Sequence, residues 1–169
     1  MATDVPLRVP RHRVHPNARW FWAIQGLAPT VLLAVLGTGL AVLLPDDAPG
    51  WLRGITAVLP WLAVPVGLLL VVVAPLLRYQ VHRWEITAEA VYTLEGWLVR
   101  VWRIVPVARI QTVDTTRGPV QQLLGLATVM VRTASHAGST GIWHLDAATA
   151  DAVAHDLALR ANAVPDDAS

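Results

Sequence analysis

The chain has 169 residues, 54% of them hydrophobic, and carries 13 basic against 12 acidic residues. The net charge of +1 argues against nucleic acid as a partner, since nucleic-acid binding normally needs a basic patch or stripe. Because the chain contains no cysteine, disulfides, thiolate metal sites and cysteine nucleophiles are excluded.

Two long apolar runs dominate the N-terminal half of the chain, at 20–44 and 54–77, and neither contains a charged residue. A helix needs about 20 apolar residues to cross the roughly 30 Å hydrocarbon core of a bilayer. The sequence therefore predicts a transmembrane helical hairpin at 20–77, with spans at 20–44 and 51–77 and an outside turn at 45–50. A signal peptide is the alternative for the first run. The apolar region of a signal peptide is only roughly 7–15 residues long, which is shorter than the run at 20–44.

Arginines cluster on both outer flanks of the predicted hairpin, in an arm at residues 1–19 and just after the second span. The turn between the spans carries Asp46 and Asp47 and no base. Since basic flanks face the cytoplasm, we predict a multi-pass plasma-membrane protein with both termini cytoplasmic. These arginines either set only the topology or also contact anionic lipid. The candidate lipid contacts are Arg11, Arg13, Arg19, Arg78 and Arg83.

Side chains suited to transport or catalysis are sparse in this sequence. No ionisable residue lies inside either uncharged run, which disfavours a pump or transporter because proton and ion pathways use such groups. The six histidines show no metal-binding spacing such as H-E-x-x-H, and no Ser/His/acid arrangement is present. We therefore predict no enzymatic activity, no cofactor and no metal.

Beyond residue 77 the apolar pattern changes to period two, which is typical of strands. The sequence predicts a small sheet domain at residues 78–163, with one helical turn at 120–125. The predicted strands are 79–86, 90–94, 97–105, 109–116, 126–134 and 141–145.

A helix is predicted to end the domain, with Asp146 as its N-cap. One apolar stripe includes Ala150 and Leu157, and the opposite face has i,i+4 pairs of Asp151 with His155 and Asp156 with Arg160. Residues 164–169 are predicted to be a disordered tail. The fold class is therefore α+β, with a membrane hairpin followed by a sandwich or partial barrel that the final helix caps.

The stretch 106–133 reads P-V-A-R-I-Q-T-V-D-T-T-R-G-P-V-Q-Q-L-L-G-L-A-T-V-M-V-R-T. It resembles the hallmark of bacterial membrane-anchored PH-like proteins of the YdbS-like kind. The resemblance continues into the final helix and, with the two spans, covers residues 20–162. It implies a PH-like barrel on the cytoplasmic face, often encoded beside a larger multi-copy relative, and no settled biochemical activity.

Polar and turn residues within this stretch have two interpretations. In the structural one, a turn and a one-turn helix place Leu123 and Leu124 in the barrel interior. In the functional one, the same stretch forms a surface on which a partner docks. The candidate residues are Arg109, Gln111, Asp114, Gly118, Pro119, Gln121 and Gly125.

The function that follows is that of a membrane-anchored interaction module. Its expected partners are membrane lipids and either another membrane protein or further copies of itself. The alternative is a sensor of anionic lipid that uses the juxtamembrane arginines. Phosphoinositide-binding PH domains carry basic residues at the first hairpin, whereas the turn at 87–90 carries Glu89 and no base, so this chain departs from that pattern.

Overall fold

The computed structural model describes residues 9–134 and 139–163. The chain divides into two compact units: Arg19–Leu77 (the helical unit), and the described residues of Met1–Ala18 and Arg78–Ser169 (the sheet unit). The tail predicted at 164–169 lies outside the described residues, as do residues 1–8 of the predicted arm.

The helical unit contains a helical run at each predicted span. Helix α1 is Ala18–Leu43, and the second run joins α2, Gly50–Gly67, to α3, Ala74–Val81, through a π-helical segment at Leu68–Val73. Both runs are long and apolar enough to cross a membrane, with mean hydropathies of 2.0 and 2.5. In an 18-residue apolar stretch of each run, only 11% is buried within the protein, whereas a core helix of a soluble protein is mostly buried.

The two helical runs approach closely at glycines, each of which faces a residue of the other run. A Cβ atom on Gly37 would lie 2.9 Å from the Cβ of Leu59, and one on Gly67 would lie 2.8 Å from Cγ2 of Thr30. Larger side chains would push the backbones apart at both positions. Such close packing supplies the van der Waals contact that stabilises helix pairs in lipid.

The sheet unit contains two antiparallel sheets, one in the order β1-β2-β3-β4 and one in the order β5-β6-β7. The strands are β1 His12–Arg13, β2 Arg83–Ile86, β3 Ala90–Glu95, β4 Val101–Pro106, β5 Ile110–Thr116, β6 Leu126–Thr133 and β7 Thr140–Asp146. A 3-10 turn at Val107–Arg109 links the sheets. Helix α4, Pro119–Leu123, connects β5 to β6, and α5, Ala147–Ala163, follows β7.

The hydrophobic core joins both sheets and α5. Val91 of β3, Val129 of β6, Ile142 of β7 and Leu157 of α5 belong to one cluster and are at most 1% exposed. Burial of such side chains is the main force that stabilises a domain of this size. The predicted α+β architecture, a helical hairpin and a sheet sandwich with a C-terminal helix, is confirmed.

Helix α5 begins as its sequence predicts. The Asp146 carboxylate accepts a hydrogen bond from the backbone N–H of Thr149 at 3.0 Å, which satisfies a donor at the helix start. Hydrogen bonds from the Thr149 side chain and then from its backbone N–H lower the pKa of Asp146. Arg160 pairs with Asp156 at 2.8 Å, as predicted. Asp151 instead pairs with Arg117, before α4, at 2.6 Å.

Two strands begin later than the sequence pattern indicates. Residues 79–81, predicted to start the first strand, are the end of α3, and the strand begins at Arg83. The helix ends where the backbone N–H of His82 donates to the Arg78 carbonyl at 2.8 Å. The strand predicted at 97–105 begins only at Val101, because residues 96–100 form the turn after β3.

The N-terminal arm forms part of the first sheet. His12 pairs with Trp84 and Arg13 with Arg83, in antiparallel register. Val14 is only 5% exposed. The described part of the arm therefore contributes an edge strand to the sheet unit, whereas the sequence pattern predicts that the domain begins at residue 78.

Candidate functional site

The Gly-Pro motif of the chain builds the short helix α4. Pro119 occupies its first turn, where a missing N–H costs nothing. The backbone N–H of Gly118 donates to Oε1 of Gln121 at 3.0 Å. After the helix, Gly125 adopts a φ of +68°, a left-handed conformation that glycine takes without strain. The helix is thus fixed at both ends by residues that the sequence singles out.

Gln121 is the buried polar centre of this motif, with 8% of its surface exposed. Its Nε2 donates to the Thr128 hydroxyl at 2.9 Å and lies 3.3 Å from Nδ1 of His144. Because the Gly118 N–H can only donate, the Gln121 atom facing it is the oxygen, and the amide nitrogen faces His144. Nδ1 of His144 is therefore an acceptor, and the neutral ring carries its proton on Nε2.

His144 occupies an irregular position in β7. The pairs Ala127–Leu145 and Val129–Ile142 leave two residues of β7 opposite Thr128 alone, which is a β-bulge. His144 has a φ of 56°, which is uncommon outside glycine, and is 5% exposed. Burial, followed by the nearby charge of His82, lowers its pKa to about 4. The ring is therefore neutral at pH 7.

The N-terminal arm is hydrogen-bonded to both the motif and the bulge. The backbone N–H of His15 donates to the His144 carbonyl at 2.9 Å. Nδ2 of Asn17 donates to the Leu124 carbonyl at 2.9 Å. The arm, α4 and the bulge thus form one connected polar cluster.

Sequence reasoning missed four other members of this cluster. His15 and Asn17 in the arm are far in sequence from Thr128 and His144, and none of the four is among the candidate residues. Asn17, directly before the first apolar run, is of a type that often begins helices, and this was the one available signal. Its side chain instead reaches a carbonyl 107 residues away.

The other predicted motif residues lie elsewhere. The side chains of Arg109 and Gln111 are exposed, at the end of the 3-10 turn and on β5. Asp114 pairs across the second sheet with Arg132, with 3.4 Å between Oδ2 and Nε. The seven candidate residues therefore do not make one site, and only Gly118, Pro119, Gln121 and Gly125 belong to the motif around α4.

The structural interpretation of the motif is wrong about the position of Leu123. It was expected to fill the barrel interior, but 86% of its surface is exposed. Leu124 is half-buried. Gln121 takes the inward position in α4 because Gly118, Thr128 and His144 satisfy its amide, which removes the penalty of burying it.

Four of the five candidate lipid-contacting arginines lie in the sheet unit. Arg13 and Arg83 are directly paired across β1 and β2. The Arg13 guanidinium lies 5.9 Å from the centre of the Tyr79 ring. The guanidinium of Arg11 is 3.7 Å from the buried carboxylate of Glu85. Arg78 is half-buried in the last turn of α3.

Arg19, the fifth candidate, belongs to the helical unit. There it lines an open groove of about 380 Å³ together with Trp20 and apolar residues within 71–76.

Glu95, half-buried at the end of β3, is another titratable group with a shifted pKa. Burial raises its pKa, and the Trp143 indole, which donates to Oε1 at 3.1 Å, partly offsets this. Among residues 9–134 and 139–163, no three His, Asp or Glu side chains are grouped as a metal site would require.

Residues 28–161 match the sequence model of a family described as bacterial PH domain. The chain belongs to this family. It is similar to the UPF0699 transmembrane protein YdbS of Bacillus subtilis (strain 168), with 28% identity over 159 residues that cover 94% of this chain and 97% of that protein. No solved structure matches the chain.

The family match includes most of α1, the second helical run and the sheet unit from β2 to nearly the end of α5, but not β1. The chain is therefore a membrane protein that carries a bacterial PH domain, as the resemblance predicts. Neither the bacterial PH domain family nor the transmembrane relative is an enzyme family.

Proposed function

We propose that this protein presents its PH-like domain at the cytoplasmic face of the plasma membrane, where the edge of β4 docks a second PH-like domain. That domain belongs either to another copy of the chain or to a larger relative in the same membrane. The role is that of a non-catalytic interaction module. The observation that carries it is that β4 is an edge strand, paired on one side only among the described strands.

Strand β4 is an open edge of the first sheet. It pairs with β3 along all six of its residues, and no described strand pairs with its other side. Val101 is 40% exposed and Ile104 is 38% exposed, so apolar side chains accompany the free backbone groups. Such an edge is a template for an added strand.

Two residues of β4 favour a selective partner over uncontrolled pairing. The side chain of Arg103 is exposed in the middle of the strand, and Pro106 ends it. A charge or a proline on an edge strand opposes aggregation. Pairing of β4 with the same strand of another copy gives a two-fold symmetric contact, the commonest arrangement in homodimers.

The pairing of β1 with β2 supports the proposed topology. His12 and Arg13 come before the helical hairpin and pair with Trp84 and Arg83, which follow it. This pairing supports a topology in which both ends of the hairpin lie on one face of the membrane, as expected for two spans. The exposed Asp46 and Asp47 in the turn, and the arginines beside β1 and β2, support the cytoplasmic face for the sheets.

Photocrosslinking in native membranes tests the docking edge. A photoreactive amino acid at Ile104 should give crosslinks to a second PH-like chain, whereas one at Leu159, 58% exposed on α5, should not. Ile104→Lys should abolish co-purification of differently tagged copies or of the relative, and Leu159→Lys should leave it intact. Equal recovery with both variants, or crosslinks from Leu159 alone, would refute docking at β4.

The topology has its own test, because the chain contains no cysteine. In intact cells, Ala48→Cys in the turn should react with an impermeant maleimide, and Ala88→Cys in the sheet unit should react only after lysis. The reverse pattern would place the domain outside the cell and would refute the proposal.

Anionic lipid binding is a second candidate, favoured by the direct pairing of Arg13 with Arg83. Like charges opposite one another on paired strands are destabilising, and a lipid phosphate between them would offset the repulsion. Anionic lipid should then raise the melting temperature of the purified chain. Arg83→Gln should remove that increase, whereas Arg132→Gln, on the second sheet, should retain it. An equal increase in both variants excludes this site.

A further inference from the structure

The two chain connections to the helical unit leave the first sheet at the same end. Strand β2 begins at Arg83, two residues after α3 ends at Val81. Strand β1 runs the opposite way and ends at Arg13, a few residues before α1 begins at Ala18. Because Arg13 and Arg83 are register partners, both connections lie at the same end of the strands. We call this end of the first sheet the span-side end.

The turn between β3 and β4, residues 96–100, lies at this span-side end. Leu94 pairs with Arg83, and Glu95 pairs with Val101, so the turn follows directly beyond the first residue of β2. The turn between β2 and β3, residues 87–89, lies at the other end of the sheet. At about 3.3 Å per residue, the length of β2 separates the two ends by about 10 Å.

The span-side turn is apolar, although it is a solvent-exposed connection. Leu98 is 79% exposed and Val99 is 74% exposed, between a half-buried Trp97 and an exposed Arg100. Gly96 closes the turn with a φ of +99°, and a Cβ atom there would collide with the Val99 carbonyl. The turn is thus a tight structure that holds two large aliphatic side chains outward.

The opposite turn has the reverse character. Ala88 and Glu89 are exposed, and the Thr87 hydroxyl accepts hydrogen bonds from the backbone N–H groups of Glu89 and Ala90. One end of the sheet is therefore polar and the other is apolar. The apolar end is the one from which the chain enters the helical runs.

Leu123 gives a second, independent case at the end of α4, which connects two strands of the other sheet. It is the most exposed large hydrophobic residue among those described, at 86%. The carbonyl of the next residue, Leu124, accepts a hydrogen bond from Asn17, which directly precedes α1. An outward leucine is thus held beside the entry to the first span, as Leu98 is held near the exit from the second.

We propose that Leu98, Val99 and Leu123 insert into the interfacial layer of the membrane that the helical runs span. Trp97 and Arg100 suit that layer, since an indole and a long cationic side chain place their apolar parts in lipid and their polar parts in water. The domain is then held against the bilayer at several points with one orientation. This inference does not depend on docking at β4, whose exposed residues are different.

Single cysteines test the insertion, because the chain contains none of its own. Leu98→Cys, Leu123→Cys and, as a control at the polar turn, Ala88→Cys would each be labelled with an environment-sensitive fluorophore and reconstituted into phosphatidylcholine–phosphatidylglycerol vesicles. The label at 98 and 123 should be quenched severalfold more by lipid-attached nitroxide than the label at 88. Aqueous iodide should show the opposite order.

Two results would overturn the inference. One is iodide quenching at 98 and 123 as strong as at 88, without nitroxide quenching. The other is a protein rather than a lipid as the main adduct of a photoreactive group placed at Leu98, which would make the turn a protein-docking surface. The photoreactive variant also covers the case in which a labelled cysteine disturbs the turn. Neither result would change the crosslinks that the docking proposal predicts from Ile104, so the two proposals are tested separately.

Discussion

The backbone N–H of His15 donates to the carbonyl of His144 at 2.9 Å, so a residue before the first apolar helix is bonded to the bulge in the last strand. Together with the Asn17–Leu124 bond, this contact fastens the arm to the second sheet, while β1 fastens it to the first. The arm therefore bridges both sheets of the PH-like domain. Its loss should affect the domain as a whole.

Asn17→Ala should lower the free energy of unfolding of the sheet unit by about 1 kcal/mol, the typical net contribution of one hydrogen bond. Thermal melting of the detergent-solubilised chain measures this. Asn162→Ala, an exposed asparagine in α5, is the matched control and should change little. Equal effects of the two substitutions would show that the arm contributes nothing through Asn17.

Gln121→Leu should be more destabilising, by roughly 1–3 kcal/mol, because it leaves the Gly118 N–H and the buried Thr128 and His144 groups without their partner. Gln111→Leu changes the same residue type at an exposed position and should stay within about 0.5 kcal/mol. Denaturant unfolding followed by tryptophan fluorescence compares them. Similar stabilities would contradict a buried polar centre at Gln121.

Acid should destabilise the domain through His144. Its pKa falls from 6.5 to about 4 on folding, so between these values the unfolded chain binds a proton that the folded chain does not. The contribution is fully present above pH 6.5, declines as the pH falls, and is lost below about pH 4. At about 1.4 kcal/mol per pH unit, the loss is at most about 3.5 kcal/mol.

His144→Asn tests this, because asparagine also tolerates a left-handed backbone and has no charge to gain. Its free energy of unfolding should fall less steeply between pH 6.5 and 4 than that of the natural chain. Some slope remains, since burial also lowers the pKa of His82. Identical slopes would mean that His144 is not the group that titrates.

Leu157→Ala should cost about 2–5 kcal/mol, the usual range for a buried leucine, because this side chain of α5 is fully buried in the core to which both sheets contribute. Leu159→Ala, two residues further along and mostly exposed, should be within about 0.5 kcal/mol of the natural chain. Melting temperatures of the two variants provide the comparison. A small effect of Leu157→Ala would contradict the role of α5 as a cap on the core.

The parts of the fold that the sequence predicts are those with long periodic patterns. The two apolar runs, the strand around Val129 and the stripe of α5 each repeat a signal over many residues, and the structure confirms them. The N-cap at Asp146 is also confirmed, because capping is local chemistry within three residues.

Shorter elements could not be predicted, for physical reasons. Strand β1 has only two residues, His12 and Arg13, and neither shows an apolar alternation. Helix α4 has five residues, too few for a helical period to show which side faces inward. Leu123 was therefore expected inside, but Gln121 is the buried residue, because its partners come from distant strands.

The position of β1 has a consequence for biosynthesis. The ribosome makes this strand before the helical hairpin, and it makes β2, the neighbour of β1, only after the hairpin is complete. The first sheet therefore cannot be completed until both helical runs have been synthesised, so the folding of this sheet follows the synthesis of the hairpin.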